Sequence, residues 1–244
     1  MAESEHAMPG RAAPVLYYHP LSSYCHKLLI AIDELGADVT LQVINPGDPD
    51  ERAAHVARWP TGKIPLLMDA GQPVPESSIM IEHLQRHHAA AGRQLIPDDA
   101  AAALAVRLWD RLFDLYVMTP MQAFTADLLR PEDQRRPASV AQARSALVSA
   151  YDFIDQHLQA RAGAGQAWAC GDAFSLADCA AAPALFYAVA YEPLAPAHAH
   201  LAAYVDRLMD RPSVARTVDQ ARPWFQYFPG RAGLARRFFD PAST

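Results

Sequence analysis

Strand-like and helix-like runs alternate along the first part of the chain and give way to helix-like runs alone after residue 99. Val15-Leu16-Tyr17-Tyr18 is a short apolar run closed by His19-Pro20, which reads as a strand. From Tyr24 to Leu35 the apolar positions Cys25, Leu28, Leu29 and Ile32 recur at helical spacing, and Gly36 ends the run. Val39–Ile44 is a second strand, closed by Asn45-Pro46-Gly47, and a polar helical piece is expected over Pro49–Trp59. Pro65–Asp69, a turn at Ala70-Gly71 and a short strand near Pro73-Val74 form a hairpin. Ser77–His88 is helical, with Ile81 and Leu84 inward. The order is β-α-β-α-β-β-α within residues 14–88.

Residues 89–99, with Gly92 and Pro97, read as a linker. Beyond it Leu104, Leu108, Leu112 and Leu115 make one expected inward stripe, and Leu147, Tyr151, Ile154 and Leu158 another. Later helices are expected over Leu176–Tyr191, His198–Met209 and Ser213–Ala221. A mixed α/β unit followed by an all-helical one implies two domains. The expected organisation is a flexible tail over 1–13, a first domain over 14–88, the linker, a helical domain over 100–222 and an aromatic extension over 223–244.

Composition narrows the function classes. Half of the chain is hydrophobic (51%), enough for a core, so a wholly disordered chain is excluded. A formal charge of −6 argues against non-specific binding to nucleic acid or anionic membrane. No apolar run approaches the roughly 20 residues of a membrane helix, and the polar start MAESEHAMPGRAAP has no signal-peptide core. Three cysteines, Cys25, Cys170 and Cys179, make no disulfide framework, so a reduced, cytoplasmic protein is expected. Lys27 and Lys63 are the only lysines in an arginine-rich chain. A retained lysine hints that a point-charge ammonium is wanted there.

Four segments can carry chemistry. In Pro20-Leu21-Ser22-Ser23-Tyr24-Cys25-His26-Lys27 a strand runs into a turn and a helix begins, where hydroxyls cap and backbone N–H groups favour an anion. Ser22-x-x-Cys25 has the spacing of a dithiol motif with its first sulfur replaced by oxygen. Such a serine can cap the helix, or donate a hydrogen bond to a thiolate that a ligand brings. One charge-assisted bond of about 1.5–3 kcal/mol lowers a thiol pKa of about 8.5 by about one to two units. Cys25 lies on the apolar face of the helix and reads as core. Thr61-Gly62-Lys63-Ile64-Pro65 leads into a strand; a cis Ile64–Pro65 bond would offer the Ile64 backbone to an extended peptide, with Lys63 near a carboxylate. Val74-Pro75-Glu76-Ser77-Ser78 opens a helix with Ser77 as its expected N-cap; a ligand carboxylate could sit there, and Glu76 could hold an ammonium. Ser175-x-x-Asp178 is a capping box with a structural role.

Each motif is common by itself. The ordered set Ser-Ser-Tyr-Cys-His-Lys, Gly-Lys-Ile-Pro, Pro-Glu-Ser-Ser and Phe-Ser-Leu-Ala-Asp, with Leu95-Ile96-Pro97 in the linker, resembles the cytosolic glutathione S-transferase family from about Val15 to Arg211. The resemblance implies a thioredoxin-like N-terminal domain followed by an all-α C-terminal domain, a homodimer, and glutathione as substrate or cosubstrate. It implies that Ser22 activates the glutathione thiol, as in serine-type members. Ile64 beside the matching cis-proline Pro65 would pair with the peptide backbone, and Glu76 and Ser77 would hold the γ-glutamyl group. Lys63 would meet a carboxylate. Tyr18 resembles the catalytic tyrosine of other members and is the alternative to Ser22. The implied reaction is attack by sulfur on a small hydrophobic electrophile, with glutathione-dependent isomerisation or dehalogenation, or a non-catalytic module, as alternatives. Phe113, Tyr116, Met118, Met121 and Phe124 could line an acceptor pocket or be packing core, and Trp224, Phe225, Tyr227 and Phe228 could fold over it. Glu82-His83-x-x-x-His87-His88 presents imidazoles at zinc spacing, but with no third ligand nearby no metal is expected.

Overall fold

A computed structural model describes residues 13–238. The expected tail, apart from Ala13, and the last six residues of the extension lie outside the described residues.

The first unit is a four-stranded sheet in the order β2-β1-β3-β4. β1 (Val15–Tyr18) runs parallel to β2 (Thr40–Val43) and antiparallel to β3 (Leu66–Asp69), which turns into β4 (Gln72–Val74). The hairpin turn carries Ala70 and Gly71 at φ 49° and 76°, the pair of left-handed residues that a two-residue β-turn needs. Helix α1 (Ser23–Leu35) follows β1 and is closed by Gly36 at φ 59°, whose N–H reaches back to the Asp33 and Ile32 carbonyls. α2 (Pro49–Arg58) begins with Asp48 capping Asp50 and Glu51, and α3 (Ser77–His87) follows β4.

The second unit is helical. α4 (Ala100–Leu112) passes through a π-helical stretch, Phe113–Met118, into α5 (Thr119–Leu128). α6 (Pro137–Gly163), α7 (Leu176–Tyr191), α8 (Ala199–Met209) and α9 (Pro212–Ala221) complete it. α7 is the central helix: Leu176 to Ala188 is buried without a break, including Pro183. Asp178 closes the α7 capping box on Ser175 and also accepts from Ala169 N–H and the Tyr204 hydroxyl. The linker is fastened, since Gln85 bonds Leu95 and Ile96 and Leu176 N–H donates to the Leu95 carbonyl.

The stripe Leu147, Tyr151, Ile154 and Leu158 is buried as expected. The other stripe is corrected. Leu104, Leu108 and Leu115 are 69%, 56% and 49% exposed, and Ala103, Val106, Trp109, Asp110, Phe113 and Asp114 face inward instead. The inner face carries two acids because a buried cation meets them there. Lys27 of α1 has no exposed surface; its Nζ lies 2.5 Å from Asp110 Oδ1 and 2.8 Å from Asp114 Oδ2, and donates to Ser78 Oγ at 3.0 Å. Ser78 donates in turn to Asp110 at 2.7 Å. This cluster joins the sheet unit to the helical unit.

Candidate functional site

α1 begins directly after the β1 turn, so its N-terminus faces the cleft between the units. Ser22 is its N-cap, with the Cys25 N–H donating to Ser22 Oγ at 3.4 Å. That bond uses a lone pair of the serine and leaves its hydroxyl hydrogen to be donated elsewhere. Cys25 itself is fully buried; burial pushes its thiol up to about 12, offset only in part by the Ser22 hydroxyl and the His19 backbone. The turn is held from behind by His26, whose ring bonds the Pro20 carbonyl at 2.6 Å and meets the Tyr187 hydroxyl at 3.3 Å. Burial keeps this histidine neutral, with its pKa pushed down to about 4.

Two cavities flank this N-terminus. The first, about 140 Å³, is lined by Tyr24, Trp59, Thr61, Lys63, Ile64, Pro65, Pro75, Glu76, Ser77, Arg111 and Asp114. All five expected peptide-binding residues are therefore together. The Ile64–Pro65 bond is cis. Glu76, not Ser77, is the N-cap of α3, which corrects the expected cap by one residue. Glu76 holds φ 68°, a region costly for a residue with a Cβ, and its carboxylate makes no cap bond. The start of α3, where Glu76 and Ser77 line the cavity, thus has no side-chain cap on its first-turn N–H groups, a setting that suits an anion.

Four wall residues were missed by the sequence reading: Tyr24, Trp59, Arg111 and Asp114. Arg111 contacts Asp114 at 3.3 Å. Burial holds the Asp114 carboxyl above the usual range, with Asp110 adding to the effect and Lys27 and Arg111 opposing it. Burial and the nearby Asp114 push the Tyr24 phenol up to about 12, so it stays a donor. The cavity therefore carries two cations, Lys63 and Arg111, and two carboxylates, Glu76 and Asp114.

The second cavity, about 390 Å³, is lined by Leu21, Ser22, Ser23, Met121, Gln122, Thr125, Ala126, Leu129, Tyr187, Tyr227, Phe228 and Pro229. Of the expected acceptor-pocket residues only Met121 lies on its wall. Phe113 is fully buried between Trp109 and Tyr204, and Tyr116 is 58% exposed; neither lines this cavity. The extension supplies the opposite wall. Phe225 and Phe228 are buried against Phe186 and Tyr187, and Tyr227 and Phe228 face the cavity. The chain passes α7 closely at Gly233, where a Cβ would fall 1.8 Å from the Ala190 carbonyl oxygen. Tyr18 lines a different, small cavity with Pro20, His26, Leu29, Thr217, Gln220 and Ala221, which shares no lining residue with either of these.

Comparisons with known proteins agree with this architecture. The sequence model of the glutathione S-transferase N-terminal domain matches residues 16–92, and that of the C-terminal domain matches residues 137–207. The chain belongs to the glutathione S-transferase family. Glutathione S-transferase 3 of Zea mays is 27% identical over 210 residues, covering 83% of this chain and 92% of that protein. Glutathione S-transferase 4 of Zea mays is 34% identical over 74 residues, 30% of this chain and 33% of that protein. Among solved structures, a glutathione S-transferase of Methylobacillus flagellatus with glutathione bound superimposes with TM-score 0.73 at 28% identity, covering 84% and 98% of the two chains. One from Methylobacterium radiotolerans in complex with glutathione sulfonate gives TM-score 0.71 at 27% identity, covering 84% and 94%.

Proposed function

We propose that the chain binds glutathione in the polar cavity and activates its thiol as thiolate, for attack on a small apolar electrophile held in the second cavity. The carrying observation is the position of the α1 N-terminus. Ser22 and Ser23 line the apolar cavity while Tyr24 lines the polar one, so a thiol delivered from the first meets Ser22 at the edge of the second. The charge pattern fits the ligand. Glutathione carries two carboxylates and one ammonium; Lys63, Arg111 and the open first turn of α3 suit the former, and Glu76 or Asp114 the latter. Ile64 beside Pro65 suits the extended backbone, and Ser77 the γ-glutamyl carboxylate. The relatives solved with glutathione and glutathione sulfonate support the same ligand.

Ser22 acts as a donor to the thiolate, not as a base. Tyr18 is disfavoured, since it lines a separate cavity. Met121, Leu129 and the extension residues Tyr227 and Phe228 form the apolar wall against the electrophile. The units carrying this are the proposed domains 14–88 and 100–222, linked by 89–99 and followed by the extension 223–244. Free Cys25, Cys170 and Cys179 suit a detoxifying enzyme of the reducing cytoplasm. Among the described residues no helix is long and apolar enough to cross a membrane.

Ser22→Ala should lower turnover at least tenfold and change glutathione affinity little, since its bond forms to the thiolate; Ser77→Ala should instead weaken binding. Steady-state kinetics with an aromatic halide electrophile, beside calorimetric dissociation constants, separates these outcomes. Unchanged turnover in Ser22→Ala with loss in Tyr18→Phe would transfer the role to Tyr18. Product analysis decides between conjugation, which consumes glutathione, and isomerisation, which returns it.

A further inference from the structure

At the far end of α3 from Glu76 and Ser77 the fold assembles a second cluster. Asp69, the last residue of β3, is buried, and its Oδ2 lies 2.6 Å from His83 Nε2 and 2.8 Å from His88 Nε2. His83 sits on α3 and His88 is its C-cap. The carboxylate oxygen and the two imidazole nitrogens all lie within 4.8 Å of one another. The sequence displays the histidines but not the third donor, which β3 brings in from 14 residues before His83. The fold thus supplies the ligand whose lack spoke against a metal.

We propose that Asp69, His83 and His88 form a divalent transition-metal site of the zinc type, with water in the fourth position. Two imidazoles and one carboxylate are the donor set of three-ligand zinc sites, and imidazole favours zinc, cobalt and nickel over magnesium or calcium. Zinc bonds of about 2.0–2.2 Å place tetrahedral donors roughly 3.3 Å apart. The His83 and His88 nitrogens, at 2.6 and 2.8 Å from Oδ2, therefore need to draw back by about 0.7 and about 0.5 Å. They can do so, because the His83 and His88 side chains are 22% and 11% exposed and line the open side, whereas Asp69 is fixed in the interior. The metal replaces the imidazole hydrogens that now point at one carboxylate oxygen, and the displaced hydrogens move to the other ring nitrogens. The bound ion fastens the end of the β3–β4 hairpin to the end of α3. His83 and His88 stand about 9 and about 16 Å along the helix axis from Ser77, so the ion does not reach the polar cavity.

The test uses the full-length protein stripped of metal and titrated with Co2+ and Zn2+ alone. One Co2+ per chain with visible absorption of four- or five-coordinate intensity, displaced by Zn2+, is the expected result. His83→Gln and His88→Gln should each raise the Zn2+ dissociation constant at least tenfold. Both variants should lose the rise in melting temperature that Zn2+ gives the parent, while keeping its far-ultraviolet circular dichroism. A cobalt spectrum that stays that of the aqueous ion, or variants that bind Zn2+ as the parent does, would overturn the proposal.

Discussion

At the scale of single residues, the informative side chains are those whose surroundings contradict their type. His26 is a histidine with no room for its charge. Its ordinary pKa of 6.5 is pushed down to about 4 by burial. Between these values the unfolded chain takes up a proton that the folded chain refuses, so stability present above pH 6.5 is lost as pH falls toward 4. The loss is on the order of 3 kcal/mol. The raised carboxyls of Asp114 and Asp178 work in the opposite sense and persist in a His26→Asn variant. The difference between the two urea-unfolding curves across this pH range therefore isolates His26, and parallel curves would contradict the assignment. Glu76 is the second such residue. A left-handed backbone at a residue with a Cβ costs about 1–3 kcal/mol, at a position where glycine would be free of it, and the carboxylate it presents to the polar cavity is the compensating use.

At the scale of elements, the β-α-β-α-β-β-α order was legible because Pro and Gly punctuate every join: Pro20, Gly36, Pro46-Gly47, Pro60 with Gly62, Gly71 and Pro75 all mark real boundaries. The faces of α4 were not legible. Its leucine stripe is the more apolar one by sequence, yet the buried face is the one with Asp110 and Asp114, whose cation partner stands 87 residues from Asp114. Arg111 and Asp114 were missed as cavity residues for the same reason. Ser22, Lys63, Ile64, Pro65, Glu76 and Ser77 were legible as residues of the cleft, whose two cavities they line, because they lie in short turns whose geometry is local. The homodimer expected from the family resemblance would need an apolar face, and the outward leucines Leu104 and Leu108 of α4 offer one. Light scattering should then give twice the monomer mass for the parent and the monomer mass for Leu108→Lys. A monomeric parent would leave that face without the proposed occupant.

At the scale of the whole molecule, the two units meet through a buried charge cluster rather than through apolar surface alone. Lys27 of the sheet unit satisfies Asp110 and Asp114 of the helical unit and Ser78 of α3, and Asp114 is at once part of the cluster and of the cavity wall. The ammonium donates to Ser78 and Asp114 and pairs in charge with Asp110, a compact point charge that the planar fork of arginine does not match; this accounts for one of two retained lysines. Lys27→Met should destabilise by about 3–5 kcal/mol, because Asp110 is left buried without its counterion and Asp114 keeps only the half-exposed Arg111. Urea unfolding measures this, and a loss below about 1 kcal/mol would show that the cluster is not what joins the units. Its cost should also appear as weaker glutathione binding, through Asp114.

The proposed function requires this cleft to ionise the thiol of glutathione. Calorimetric titration with glutathione and with S-methylglutathione, repeated in buffers of different ionisation enthalpy near neutral pH, tests it most directly. Binding of both ligands with proton release for glutathione alone is the predicted result. Equal proton release for the two ligands, or no binding of glutathione at millimolar concentration, would contradict it.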